Sequence, residues 1–108
     1  MGKSIYRAGV VLGGDFNGKS IYKYDDNKFI IISNDENGKI IINSLFPTRY
    51  STLKDISKST VERYEDISST GGFIPTYDMA IYFKDGQKSL VRLNSSSYQM
   101  IKQILFVL

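Results

Sequence analysis

The sequence predicts a mostly β member of the α+β class: an antiparallel, partly open barrel or sandwich of about seven strands, capped by one C-terminal helix. Short runs of β-branched and aromatic residues recur along most of the chain, and turn residues separate them. Apolar side chains with helical spacing occur clearly only at the end. At 108 residues, the chain is expected to form one domain over residues 1–108.

Four runs in the first half are predicted to form an antiparallel meander. They cover residues 5–12, 20–24, 29–33 and 40–42. The last two runs are rich in isoleucine at consecutive positions, so both of their faces are expected to be covered. Turn residues at 34–38 are predicted to separate these two runs.

The first hairpin contains a segment that also matches a nucleotide-binding pattern. Residues 13–20 read Gly-Gly-Asp-Phe-Asn-Gly-Lys-Ser, which fits the G-x-x-x-x-G-K-[ST] pattern of phosphate-binding loops, and we call them the glycine–lysine segment. A phosphate-binding loop needs a helix directly after it, but the following residues are strand-like and then form a turn. We therefore expect a hairpin whose Asn-Gly turn places Leu12 opposite Tyr22 and Val10 opposite Tyr24.

The middle of the chain, residues 45–72, is less regular. Residues 53–56 are predicted to form a short turn that leads into another strand. Residues 58–67 fit either a strand or a helix, and the β-branched pair Thr60 and Val61 favours the strand. Residues 68–72, rich in serine and glycine, are predicted to form a flexible loop.

The clearest hairpin joins residues 77–83 to residues 87–93. A three-residue turn with Gly86 in a left-handed conformation pairs Met79 with Val91 and Tyr77 with Leu93, which keeps apolar side chains on one face. A two-residue turn would instead place Ile81 opposite Leu90 and Met79 opposite Arg92.

The chain is predicted to end in a helix that begins at Ser96, with Gln99 completing a capping box. An apolar stripe along this helix is expected to cover the end of the barrel or to make an oligomer contact. It comprises Tyr98, Ile101, Ile104, Leu105 and Leu108, widened by Met100, Phe106 and Val107.

Composition excludes much of catalytic chemistry. Cysteine and histidine are both absent, which removes thiolate nucleophiles, the usual zinc ligands and the usual general base at neutral pH. The acidic residues Glu62, Glu65 and Asp66 lack metal-ligand spacing. We expect no enzymatic activity, no metal and no cofactor.

The charge pattern bears on partners. The net charge is +3, and the basic excess is spread over the first half rather than gathered in a stripe, so no nucleic-acid binding is expected. No long apolar run is present, and a cytoplasmic location is expected. Lys19 and Lys23, with Arg7 on a neighbouring strand, form a candidate anionic-lipid site, although a solvated strand face whose lysines discourage aggregation is the favoured explanation.

Three segments resemble bacterial pleckstrin-homology-like domains. They are residues 53–56 with Val61, residues 82–86, and residues 90–93 before the final helix. The resemblance implies a non-enzymatic domain that contacts proteins or ligands. We therefore predict a non-catalytic adaptor that binds another protein, from a bacterial or mobile-element source.

The candidate partner-contact residues are Phe16 and Lys19 at the first hairpin, together with Lys23 and Arg7. A homo-oligomer is a second form of this prediction. Peripheral binding to an anionic membrane is the alternative function, and nucleotide binding by the glycine–lysine segment is a less favoured one.

Overall fold

A single antiparallel sheet of seven strands and one helix make up the part of the chain that the computed structural model describes, residues 4–42 and 47–106. The elements are β1 (Tyr6–Gly14), β2 (Ser20–Asp25), β3 (Lys28–Ile41), β4 (Thr48–Ile56), β5 (Val61–Thr70), β6 (Thr76–Phe83), β7 (Lys88–Asn94) and α1 (Ser95–Leu105). The strand order is β4-β3-β2-β1-β7-β6-β5. The predicted fold class is confirmed.

The sheet curls without closing. β4 and β5 are its two edges, yet residues 57–60 join them directly. At this corner the backbone N–H of Lys84 donates to the Thr60 carbonyl at 2.9 Å, and Lys54 of β4 forms an ion pair with Asp85 in the turn after β6. These contacts bring the two halves of the sheet together at one corner and leave the rest of the two edges apart.

The larger hydrophobic core lies within the curl and beneath α1. Every strand and the helix contribute buried side chains to it. They are Ala8, Val11, Ile21, Phe29, Ile31, Ile56, Val61, Met79, Ile81, Phe83, Val91, Leu93, Ile101 and Leu105. Because α1 buries Ile101 and Leu105 here, the helix caps the barrel as predicted.

A second buried cluster lies on the opposite face of the first strands. It consists of Ile5, Ile30, Ile32, Ile41 and Tyr50. Successive residues of a strand point to opposite faces, so the isoleucine run of β3 supplies both clusters in alternation. The prediction that both faces are covered is confirmed for residues 29–33, whereas in the second run Ile42 is 52% exposed.

The turn predicted at residues 34–38 is wrong, because these residues form a wide bulge within β3. Asn34 and Lys39 both pair with Tyr50 of β4, so the strand continues past the inserted residues. Asp35 accepts a hydrogen bond from the backbone N–H of Asn37 at 2.8 Å, which is turn chemistry used inside a strand. The runs at 29–33 and 40–42 therefore belong largely to one strand.

β4 was not predicted, again because residues within a strand were taken for a turn. Residues 53–56, predicted as a short turn, are the last residues of this strand, which begins directly after Pro47. The predicted number of strands is right, although one of the seven was placed wrongly.

The register predicted for the first hairpin is also wrong. Val10 pairs with Ser20, and Gly9 with Ile21. The last residues of β1, Gly13 and Gly14, pair with β7 and not with β2, and Gly13 lies opposite Leu90. The connection between β1 and β2 is consequently longer than a three-residue turn.

The second predicted hairpin is confirmed in detail. Met79 pairs with Val91 and Tyr77 with Leu93. Gly86 has φ of 93°, the left-handed value that the three-residue turn requires. β5 confirms the strand preferred at residues 58–67, but it continues to Thr70, into the segment predicted as a loop.

The helix has its N-cap two residues earlier than Ser96, the N-cap of the predicted capping box. Its N-cap is Asn94, whose Oδ1 accepts from the Ser97 backbone N–H at 2.9 Å, and Ser96 is already inside the helix. Of the predicted stripe, Val107 and Leu108 lie outside the described residues, and Phe106 is exposed.

Candidate functional site

β5 is an exposed edge strand. It pairs with β6 on one side, and within the described residues no strand pairs with its other side. Of its ten residues, Val61 is buried, Tyr64 is half-buried and the other eight are exposed. An edge of this length presents backbone N–H and C=O groups that can pair with another chain.

The pairing with β6 determines which way the β5 side chains point. Tyr64 lies opposite the buried Ile81, so its ring faces the core and α1. Arg63 lies opposite Tyr82 and therefore faces the outer surface. Irregularities near Glu62 and Ile67 interrupt the regular pairing.

A groove lies between β5 and α1. It has a volume of 290 Å³ and is lined by Tyr64, Gln99, Lys102, Gln103 and Phe106. The two rings supply apolar surface, and the Phe106 side chain is 58% exposed although it is large and apolar. The groove can therefore accept an apolar side chain from outside.

The cation in the groove is already neutralised by its neighbours. Lys102 Nζ donates to the Tyr98 hydroxyl at 3.1 Å, and this hydroxyl donates to Asp66 Oδ1 at 2.9 Å. Lys102 Nζ also lies 3.6 Å from Asp66 Oδ2. The hydrogen bond to Tyr98, followed by the attraction of Asp66, raises the pKa of Lys102 above its ordinary value of 10.5.

The outer face of β5 carries a second polar group of contacts. Tyr82 donates a hydrogen bond to Glu65 Oε1 at 2.7 Å. The Arg63 guanidinium lies 3.7 Å from the centre of the Tyr82 ring and 3.8 Å from the Glu65 carboxylate. With Glu62 and Asp66, the strand has three carboxylates against one guanidinium, so its edge is acidic in a chain of net charge +3.

The loop after β5 ends in two exposed apolar side chains. Phe73 is 106% exposed and Ile74 is 81% exposed, relative to an extended peptide. Below them the loop is held closed by a 2.7 Å hydrogen bond between the Thr70 and Thr76 hydroxyls. We call residues 71–75 the apolar tip. Side chains this exposed are candidates for burial against a partner.

The basic residues predicted as a contact site do not gather on one surface. Arg7 pairs with Tyr22, whereas Lys23 pairs with Tyr6. Since paired residues share a face and successive residues alternate, Arg7 and Lys23 point to opposite faces of the sheet. Lys19 is exposed in the turn before β2.

Phe16 and Lys23 are engaged within the chain. The Phe16 side chain is half-buried and packs against the larger core, at a backbone φ of 65°. Lys23 Nζ lies 3.2 Å from Asp26 Oδ1. Phe16 is thus less available to a partner than an apolar residue at an open hairpin tip would be.

The glycine–lysine segment forms a hairpin connection and is followed by β2, not by a helix. Several of its backbone N–H groups are already donated within the chain. Asp15 donates to the Lys88 carbonyl at 2.8 Å, Gly18 donates to the Val11 carbonyl at 2.9 Å, and Lys19 donates to the carbonyl three residues earlier at 3.1 Å. This is not the arrangement that surrounds a phosphate, in which converging N–H groups are left free.

The groove and the apolar tip were not predicted as sites from the sequence. Two signals were present: Phe106 lies beyond the stripe that the helix needs, and Phe73 and Ile74 are adjacent apolar residues beside two glycines. Neither signal identifies a site until β5 is known to be an edge.

Two further features are absent from residues 4–42 and 47–106. No helix there combines the length and the apolar character that crossing a membrane requires. No cluster of three or more acidic side chains there could hold a metal ion.

Comparison with protein-family models, with curated proteins and with solved structures found no match to this chain. The β5 edge, the groove and the apolar tip therefore define the candidate site through their own geometry.

Proposed function

We propose that this chain is a non-catalytic protein-binding module, and that its β5 edge takes an extended segment of a partner protein as an additional strand. The observation that carries the proposal is the position of the groove directly beside an unpaired edge strand. Strand addition uses both features: main-chain hydrogen bonds give affinity, and a neighbouring pocket for a side chain gives specificity.

The other edge fits this role less well. Irregular pairing does not separate the two edges, because it occurs in β4 near Leu53 and in β5 near Glu62 and Ile67. Two grooves of 420 and 370 Å³ lie against β4, but they are lined mainly by polar residues and neither includes an exposed aromatic ring, unlike the groove beside β5.

We also propose that the chain is an adaptor of the pleckstrin-homology-like kind expected from the sequence. One curled antiparallel sheet in the order 4-3-2-1-7-6-5, capped by a C-terminal helix, is compatible with that resemblance. A scaffold that presents an open strand edge suits a domain whose task is recognition rather than chemistry.

The proposal can be tested without knowing the natural partner. A displayed library of random twelve-residue peptides would be selected on the wild-type chain and counter-selected on a Tyr64→Ala/Phe106→Ala variant. Amide hydrogen exchange with a selected peptide is expected to show new protection in β5, because added main-chain hydrogen bonds slow exchange at the edge.

Tyr6→Ala is the matched control, because Tyr6 is a 61% exposed aromatic residue of β1 and lies outside the groove. Selected peptides should bind this variant as they bind the wild type. Protection in β4 instead of β5, or peptides that bind the groove variant equally well, would contradict the proposal.

A further inference from the structure

We infer that the partner strand is the β5 of a second copy of this chain, and that the apolar tip of each copy fills the groove of the other. This inference rests on the proposed function and names the occupant of the β5 edge. The two copies form a two-fold symmetric dimer with one sheet running through both. The order of the exposed apolar side chains along β5 leads to this pairing.

Exposed apolar side chains are concentrated at this edge. Among the described residues, eight large apolar side chains are exposed, and four of these belong to β5, to the loop after it or to the end of α1 beside it. The four are Ile67, Phe73, Ile74 and Phe106. Apolar side chains gathered on one edge indicate an interaction surface, whereas scattered ones do not.

The groove and the apolar tip lie towards opposite ends of β5. Tyr64, which lines the groove, belongs to the first half of the strand, and the tip follows its last residue, Thr70. Between these two residues the strand rises roughly 20 Å, at about 3.3 Å per residue. In a two-fold antiparallel pair, the first half of one strand lies beside the second half of its partner. The groove of each copy therefore lies beside the tip of the other.

The two surfaces match in their chemistry. Among the residues that line the groove only Lys102 is charged, and it is engaged by Asp66 and by the Tyr98 hydroxyl, so no unpaired charge selects an ion. The tip carries two large apolar side chains that are almost fully exposed in the single chain. Placing them in the two grooves removes apolar surface from water twice in each dimer.

The charges of the edge do not oppose this pairing. Glu65 lies 3.8 Å from the Arg63 guanidinium, and Asp66 lies 3.6 Å from the lysine of the groove, so each carboxylate is balanced within its own copy. Residues 67–77 contain no charged side chain. With the two-fold axis close to the start of this span, the two carboxylates lie beside serine, threonine and glycine of the other copy. Like charges are therefore not placed opposite one another.

A third apolar side chain lies between the groove and the tip. Ile67 is 54% exposed, at a point where the pairing of β5 with β6 is interrupted. Residues close to a two-fold axis meet their own counterparts, so the two copies of Ile67 approach each other. An unrelated extended segment would have to supply apolar groups at each of these positions. A second copy of the chain supplies all of them.

Sedimentation velocity over a concentration series, from about 1 μM to about 500 μM, tests the dimer directly. A groove variant, Tyr64→Ala/Phe106→Ala, and a tip variant, Phe73→Ser/Ile74→Ser, should each raise the dissociation constant by roughly tenfold or more. Because the tip residues are exposed in the single chain, the tip variant should leave the fold unchanged. A wild-type chain that is monomeric over the whole series overturns the inference.

Leu12→Ser/Ile42→Ser is the matched control, because it replaces two exposed apolar residues that lie outside β5, its loop and the groove. This variant should form dimers as the wild type does. Equal weakening of the dimer by the control and by the tip variant would show that general surface hydrophobicity causes the association, and the inference would be overturned.

Mixing the groove variant with the tip variant tests whether the contact is reciprocal. Neither variant can form a tip–groove contact with itself, but the mixture retains one, between the intact tip of the first and the intact groove of the second. Association should therefore reappear on mixing, at a strength between that of either variant alone and that of the wild type. A mixture that does not associate, or a groove variant that forms dimers like the wild type, overturns the inference.

Amide hydrogen exchange separates this inference from the proposed function. Raising the concentration of the wild type should slow exchange in β5, and library peptides that bind this edge should dissociate the dimer. If the peptides protect β5 but the chain stays monomeric, the inference is overturned and strand addition stands. If the dimer and the peptides both protect residues outside β5, both are overturned.

Discussion

Tyr77 of β6 and Tyr98 of α1 stack face to face, with ring centroids 4.3 Å apart and planes inclined by 8°. The Tyr98 hydroxyl also donates to Asp66 of β5. One helical side chain thereby joins α1 to the two strands at this end of the sheet. The width of the groove between β5 and α1 depends on that attachment.

Replacing Tyr98 should loosen the helix. Tyr98→Ala removes the stacked ring and is expected to lower the free energy of unfolding by about 2 kcal/mol. Tyr98→Phe keeps the ring and removes only the hydroxyl contacts, so its cost should stay below about 1 kcal/mol. Urea denaturation of both variants measures the difference. Equal losses would show that the ring stack contributes nothing.

Two glycines should respond very differently to alanine. A Cβ on Gly9 would lie 1.9 Å from the Arg92 carbonyl oxygen of the neighbouring strand, whereas a Cβ on Gly71 meets nothing within 4 Å. Gly9→Ala must force β1 and β7 apart and should cost about 3 kcal/mol or more. Gly71→Ala should change stability by less than about 0.5 kcal/mol. Thermal unfolding of the pair checks this, and a stable Gly9→Ala variant would contradict the close approach of the strands.

The contrast between two predicted turns, at Gly86 and at residues 34–38, shows how much local sequence patterns can predict. Around Gly86, the alternation of apolar residues and the turn chemistry agree, and they were sufficient to predict the pairing of Met79 with Val91. Residues 34–38 include the same types of turn residue, but they form a bulge. Gly38 allows the backbone to approach Tyr50 closely, so the strand continues past the bulge. Local sequence does not distinguish these two uses.

The candidate site depended even more on tertiary structure. Tyr64 and Phe106 are far apart in the chain and become neighbours only because β5 is an edge strand and α1 crosses the end of the barrel. The basic residues, by contrast, were conspicuous in the sequence, but the register of β1 against β2 separates Arg7 from Lys23. Which strand forms an edge is a property of the whole sheet.

Acid should weaken the contact between β6 and β7 in a defined way. Arg92 donates two hydrogen bonds to Asp78, at 2.9 and 3.0 Å, and these bonds lower the pKa of Asp78 below its ordinary value of 3.8. A carboxyl group with a lowered pKa in the folded state stabilises the fold at pH values above 3.8. That contribution is lost as the pH falls through the lowered pKa.

Asp78→Asn should therefore be less stable than the wild type near neutral pH, by on the order of 1 kcal/mol. The difference in unfolding free energy between the two chains should shrink as the pH falls below 3.8. In that range the wild-type carboxyl group is protonated first in the unfolded state, and in the folded state only at its lowered pKa. Urea midpoints measured for both chains between neutral pH and the acid limit test this. A difference that is constant with pH would mean that the ion pair does not contribute.

The glycine–lysine segment is expected to bind no nucleotide. Its N–H groups are donated to carbonyl groups of the chain, and β2 follows it where a phosphate-binding loop would need a helix. Isothermal titration of the wild type with ATP and magnesium should give no binding heat, and Lys19→Ala should be indistinguishable from it. A magnesium-dependent heat that disappears in Lys19→Ala would restore the nucleotide-binding alternative.

Binding to anionic membranes through the predicted basic residues is expected to be weak. Because Arg7 and Lys23 point to opposite faces, one bilayer surface cannot contact both in the way that a gathered basic patch would. Vesicles containing phosphatidylserine should therefore retain little of the chain at physiological salt, and neutralising Arg7, Lys19 and Lys23 together should change that fraction less than twofold. Cosedimentation at two salt concentrations measures it. Strong retention that is lost in the triple variant would indicate that the functional surface is the first hairpin and not β5. A peptide selected on the groove should then not compete with the vesicles.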